Sequence, residues 1–212
     1  MRTEDLVASL AADLRPVRDG AVERWLAGAL VAGGVVSLSI LVAWLGLRPM
    51  HEAMAAPSFW MKAAYTLAVA GAGWVLARRL ARPAGAVGAA RYLMLAPVAI
   101  LGVVGVAQLV AAGPDHAIGL LLGSTWTLCP FRILALSTPV MLALILGLRR
   151  LAPTRARMAG AAAGLLAGGL GATAYGLYCQ ETSAAFVAVW YTLGIGLSGL
   201  TGVVAGSRLL RW

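Results

Sequence analysis

Asparagine is absent from this 212-residue chain, so no N-glycosylation acceptor exists in it. Only two histidines occur, His51 and His116, and only two cysteines, Cys129 and Cys179. Acidic residues number eight, and none falls near the centre of any long apolar run. These absences exclude chemistry. A membrane b-type haem usually draws its axial ligands from histidines within helices, and both histidines here fall in connections. A proton-coupled carrier usually keeps an ionisable residue at depth, because charge in hydrocarbon is costly and retained mainly for function. With no nucleophile–base pair, no clustered carboxylates and no phosphate loop, the chain is expected not to be an enzyme and to hold no resident cofactor.

What the chain has instead is hydrocarbon-like sequence. Apolar runs cover residues 25–47, 59–76, 92–111, 131–148, 158–177 and 184–209, each about the length a bilayer requires. The expectation is an all-α polytopic protein, a six-transmembrane-helix bundle (residues 25–212) preceded by an N-terminal arm (residues 1–24). The first run begins only near Trp25 and is long for a signal-peptide h-region, so a cleavable signal is not expected. Six spans put both ends on one side. On that side lie Arg2, Arg15, Arg18 and Arg24, then Arg78, Arg79, Arg82 and Arg91, then Arg149, Arg150, Arg155 and Arg157, and finally Arg208 and Arg211, fourteen of the seventeen basic residues. The other side has Arg48, with Lys62 and Arg132 just inside the spans, where both are read as anchors snorkelling to the interface. The positive-inside rule then makes both termini cytoplasmic. The net charge of +9 is accounted for by arginines meeting anionic headgroups, and no direct nucleic-acid partner is expected.

Few polar groups remain in the spans: Ser37 and Ser39, Thr66, Gln108, Ser137 and Thr138, all able to bond within or between helices. Pro97 and Pro139 are candidate kinks whose freed carbonyls neighbours would satisfy. In span five Gly160, Gly164, Gly168, Ala172 and Gly176 recur every fourth residue, and in span six Gly194, Ser198, Gly202 and Gly206 do the same. Small-residue stripes let helix backbones approach closely, which predicts that spans five and six pack on each other. Homo-oligomerisation through either stripe is the alternative.

Cys129 at the start of span four and Cys179 at the end of span five share the face opposite the arginines. A permanent disulfide, a reversible thiol switch and a soft-metal site are all compatible with that placement, the last with His51 or His116 as auxiliary ligands. Fifty residues of separation match no standard zinc motif.

The arm opens with Thr3 as a capping residue and Glu4 and Asp5 in the first turn, which predicts a short helix over residues 4–14 ended by Pro16. Leu6, Val7, Leu10 and Leu14 form its apolar stripe. Surface-bound amphipathic helices favour Lys and Arg on the polar face, whereas this one carries acids, so a groove on a soluble partner suits it better than an anionic leaflet. The other possibility is a helix folded back to cap the bundle.

In a series of short segments the chain resembles the NrsF-like membrane anti-sigma factors of proteobacteria. The likeness is carried by the opening Thr-Glu-Asp-Leu with Leu10 to Val17, by Gly46-Leu47-Arg48-Pro49, Ala81-Arg82-Pro83 and Leu128-Cys129-Pro130, and by Ala152-Pro153-Thr154. It continues in Ala174-Tyr175-Gly176-Leu177-Tyr178-Cys179, the turn Gln180-Glu181-Thr182-Ser183, Trp190-Tyr191-Thr192-Leu193-Gly194 and the terminal Arg211-Trp212. The cysteines and the Trp-Tyr-Thr-Leu-Gly run are the most specific of these. The resemblance implies a bacterial inner-membrane protein that holds an extracytoplasmic-function sigma factor inactive and releases it under envelope or metal stress, with Cys129 and Cys179 as sensing thiols and, at most, a soft metal ion bound transiently there. Leu6, Val7, Leu10 and Leu14 are then the expected sigma contacts. A small permease subunit and a scaffold dimerising through the glycine stripes are the readings from other classes.

Overall fold

The computed structural model describes residues 3–12, 20–82 and 85–210. Among them all regular structure is helical: α1 (Thr3–Ala12), α2 (Ala21–Leu45), α3 (Met50–Ala55), α4 (Pro57–Leu80), α5 (Ala90–Ala112), α6 (Pro114–Leu122), α7 (Cys129–Arg149), α8 (Ala156–Gly176) and α9 (Ala184–Leu209). Five of these, α2, α5, α7, α8 and α9, are long and apolar enough to cross a membrane. The expected second span corresponds to α4, which has 24 residues but carries Lys62 near one end and Arg78 and Arg79 at the other, and it does not qualify by composition. The short helices α3 and α6 occupy connections that the apolar runs leave blank. α2 begins at Ala21 and takes Glu23 into its first turn.

The bundle is organised around α8. It packs on α9, α4 and α7, while α2 lies on α7 and α5 reaches α4 and the start of α9. α8 is the least apolar of the five candidate spans and the most buried; α2 and α5 are the most apolar and the least buried. That inverse relation follows from the medium. Lipid tails are as apolar as leucine, so apolar side chains face outward, and the interior is won by small residues that bring backbones together. Ala159, Ala162, Ala163, Ala167 and Ala172 of α8 are accordingly all buried.

The expected stripes do meet. A Cβ placed on Gly160 would strike the Gly202 carbonyl oxygen, one on Gly164 would strike that of Ser198, and one on Gly168 would come within 3.0 Å of the Ile195 Cα. Gly206 meets α8 in the same way, against the Ala156 carbonyl oxygen and the Gly160 Cα, whereas two members behave differently. Gly194 turns away from α8 towards Ile133 of α7, where a Cβ would lie 2.9 Å from the Ile133 Cβ, and Gly176 faces open space. Close approach also extends beyond the stripe: Gly169 abuts Ala70 and Gly73 abuts Leu166 on the α4 side, and Gly171 abuts Ser137 of α7. Adjacent glycines at 168 and 169 point about 100° apart around a helix, so α8 is thin on several faces at once.

Polar side chains then tie the helices pairwise. The Ser37 hydroxyl donates to the Leu136 carbonyl at 2.7 Å, joining α2 to α7. Thr173 donates to the Thr66 hydroxyl at 2.9 Å, and the Tyr65 and Thr192 hydroxyls share a bond of 2.6 Å. Gln108 Oε1 accepts from the Ala185 amide and the Ser183 hydroxyl, both at 3.2 Å, where α9 begins. Such bonds hold helices in register where lipid gives no hydrophobic drive. At the arginine-rich end Arg78 donates to Glu23 at 2.7 Å and the Arg150 guanidinium stacks 4.5 Å from the Trp25 ring centroid. The Glu23 pair is partly exposed and adds little stability.

Candidate functional site

Two thiols come together at the end of the bundle opposite Arg78, Arg149 and Arg150. Cys129 is the first residue of α7, where Pro130 fits the opening turn because its missing N–H has no helical partner to lose. The Cys129 amide donates to the Thr125 carbonyl at 2.9 Å. Cys179 lies three residues past Gly176, its amide donating to the Tyr175 carbonyl at 2.9 Å. Both sulfurs are unbonded and buried, and both belong to one cluster with Ile133, Leu136, Phe186 and Val187.

Two tyrosines complete that cluster. Tyr175 stands one helical turn before Cys179, and its ring centroid is 5.7 Å from that of Tyr191 in α9. Both are fully buried, and neither hydroxyl has a hydrogen-bond partner among the described residues. Buried hydroxyls are normally satisfied, so two unsatisfied ones beside two thiols mark a polar centre inside an apolar shell. A local change of helix geometry presents Tyr191: residues Val187–Tyr191 form a π-type turn within α9. Single π-turns of this kind recur at functional sites.

Lys62 corrects the sequence reading. It does not snorkel: it is 2% exposed, and its Nζ donates to the carbonyls of Cys179 and Glu181, each at 2.8 Å. The ammonium thus caps the chain as it leaves α8, a role a point charge with several donors suits. Arg132 is half-buried, its guanidinium 5.4 Å from the Tyr178 ring centroid. Arg48 stacks on Phe59 at 5.3 Å with Nε and one terminal nitrogen buried and unpaired.

Above the thiols a cavity of about 300 Å³ is lined by Ser124, Thr125, Tyr175, Tyr178, Cys179 and Glu181. Of the two thiols it is Cys179 that borders this cavity. His51 and His116 are both exposed, in α3 and α6, and no group of three or more His, Cys, Asp or Glu able to hold a metal forms among the described residues. The sequence reading does not single out Tyr175 and Tyr191 as site residues, although the four-residue spacing of Tyr175 from Cys179 is a signal that those two share a face.

On the arm, α1 begins at Thr3, with Glu4 and Asp5 in its first turn, and Val7 is 60% exposed. Leu14 and the side chains of Leu6 and Leu10 lie outside the described residues.

A family described as negative regulator of sigma F, NrsF, matches residues 10–212. The chain is 42% identical over 216 residues to the anti-sigma-F factor NrsF of Caulobacter vibrioides, covering all of both chains. It is 35% identical over 213 residues to the probable anti-sigma-F factor NrsF of Azospira oryzae, again covering both completely. No solved structure matches it.

Proposed function

The chain belongs to the NrsF family, and from that premise we propose that it is an integral-membrane anti-sigma factor that sequesters an extracytoplasmic-function sigma factor and releases it when its cysteine pair receives an envelope signal. Similarity along the entire length to a protein named an anti-sigma-F factor carries the anti-sigma part of the reading. In this proposal α4 is the sixth span, its charged groups answered by bundle partners, so that both termini lie in the bacterial cytoplasm and the thiols face the periplasm. Fourteen basic residues on one side support that orientation.

Capture falls to the arm. Val7 is exposed on a short helix with acids in its first turn, the form in which an amphipathic segment enters a groove on a soluble partner. Leu6, Leu10 and Leu14 extend the same stripe by sequence register. Release begins at Cys129 and Cys179. Oxidation would join the sulfurs, passing two protons and two electrons to the oxidant; alternatively a soft metal ion would replace the two thiol protons. Either shifts the ends of α7 and α8, whose arginine-rich connection is on the sigma side. Stress signalling in this form needs no enzyme activity and no nucleic-acid contact by this chain.

The test is a pull-down from detergent extract with the full-length protein, a variant lacking residues 1–24 and Val7→Asp, with bound proteins identified by mass spectrometry. A sigma factor is expected with the full-length protein alone, and Val7→Asp is expected to lower its recovery at least tenfold at unchanged membrane content. Equal recovery with all three would move the docking surface to the cytoplasmic loops, and recovery with none would overturn the anti-sigma reading.

A further inference from the structure

The Glu181 side chain is committed to one turn, residues 123–125. Its Oε1 accepts from the Ser124 amide at 2.7 Å, from the Ser124 hydroxyl at 2.6 Å and from the Thr125 hydroxyl at 3.5 Å. Lys62 is close by yet takes the main-chain oxygens of Cys179 and Glu181, leaving the carboxylate to the 123–125 turn. That turn is shaped to receive it. Gly123 has φ +55°, a conformation L side chains rarely adopt, and a Cβ there would sit 2.7 Å from Glu181 Oε2. Four residues beyond Thr125 the chain reaches Cys129, whose amide is held by the Thr125 carbonyl.

The same residues line the cavity beside Cys179, with Ser124 and Thr125 from the turn, Tyr175 and Tyr178 from the end of α8, and Cys179 to Glu181 from the segment after it. A carboxylate receiving several hydrogen bonds is among the stronger polar ties available to a protein, because the acceptor is charged. It joins the segment that carries Cys179 to the turn that leads into Cys129.

We propose that Glu181 is a positioning residue that latches the 123–125 turn to the segment carrying Cys179, fixing the width of the cavity beside the thiol and thereby setting how readily a periplasmic reagent reaches the sulfur. The inference rests on the reading of Cys179 as a signal-receiving thiol. Opening the latch detaches the turn from the segment after α8, while Lys62 retains that segment on α4. Access to Cys179 is then governed by an equilibrium between latched and open turn, separate from the chemistry at sulfur.

The experiment follows alkylation of Cys179 by N-ethylmaleimide in the full-length, reduced protein in membrane vesicles, read by peptide mass spectrometry. Glu181→Ala is expected to raise the rate about tenfold, equivalent to losing about 1.4 kcal/mol of preference for the latched turn. Glu181→Gln, whose neutral amide oxygen can still accept from Ser124, is expected to fall between the wild type and the Ala variant. The exposed neighbour Thr182→Ala is expected to change nothing. An unchanged rate in Glu181→Ala overturns the latch, as does a Gln variant as fast as the Ala variant. Should Glu181→Ala not accumulate in membranes, the double variant Ser124→Ala/Thr125→Val asks the question from the donor side, with the same rise expected and the same overturning result. Alkylation is measured without any sigma factor. If cysteine-free protein still answers the envelope signal, the sensing reading fails while the latch rates stand.

Discussion

Gly164→Leu is expected to destroy the folded bundle. In the native packing a single methyl at this position would already collide with the Ser198 carbonyl oxygen of α9, and Gly160 and Gly202 meet in the same reciprocal way one turn along. Neither partner can yield, because each contact is with backbone rather than with the end of a flexible side chain. Leucine would force α8 and α9 apart along their shared length, and α8 is also the helix on which α4 and α7 rest. Overpacking a dense core ordinarily costs about 1–3 kcal/mol, and a backbone collision at the hub belongs at or above the top of that range. Gly196→Ala is the matched control: its Cβ meets nothing within 4 Å, so removing helix-interior glycine freedom is expected to be neutral or to stabilise by about 0.4–1 kcal/mol. Thermal aggregation and size-exclusion profiles of the two variants in detergent would show the contrast. Equal behaviour would mean that α8 and α9 do not pack through these glycines.

Cys129→Ser/Cys179→Ser is expected to hold its sigma factor regardless of signal. For the wild type, addition of a thiol oxidant or a soft divalent cation is expected to weaken sigma binding by about 5- to 150-fold, the range of ordinary allosteric coupling. Serine preserves size at both positions and cannot form a disulfide or a thiolate, so the affinity of the double variant should be the same with and without the reagent. Measuring sigma affinity by titration in nanodiscs, with and without the reagent, decides it. A wild-type response from the double variant would place the sensor elsewhere.

Much of the architecture is legible in the amino-acid sequence. Apolar runs of bilayer length mark the long helices to within a few residues, because a lipid-facing helix must be apolar around most of its circumference and the signal is therefore strong. The four-residue glycine spacing marks the contact between α8 and α9, since that period stays on one face. Gly194 and Gly176 escape the rule for a local reason. The π-type turn ends at Tyr191, three residues before Gly194, and Gly176 is the last residue of its helix. Spacing also places Cys129 and Cys179 on one face. What stays hidden depends on contacts across many residues of chain: Lys62 on the Cys179 and Glu181 carbonyls, Glu181 on Ser124, Tyr175 against Tyr191. A charge near a helix end looks the same in sequence whether it snorkels or caps a neighbour, and only the arrival of the neighbour distinguishes them.

That dependence has a consequence for biogenesis. The acceptors of the Lys62 ammonium lie 117 and 119 residues further along the chain. In the proposed six-span topology, α4 therefore emerges from the ribosome long before the carbonyls that answer its charge exist. Until then an uncompensated ammonium keeps α4 a poor guest of the hydrocarbon, and it must wait at the interface or beside the insertion machinery. Completion of α8 supplies both the acceptors and the thin glycine face on which Ala70 and Gly73 of α4 rest. Membrane assembly would thus run out of chain order, with the second span seated late, and a chain truncated before Cys179 would leave α4 the first segment open to quality-control proteolysis.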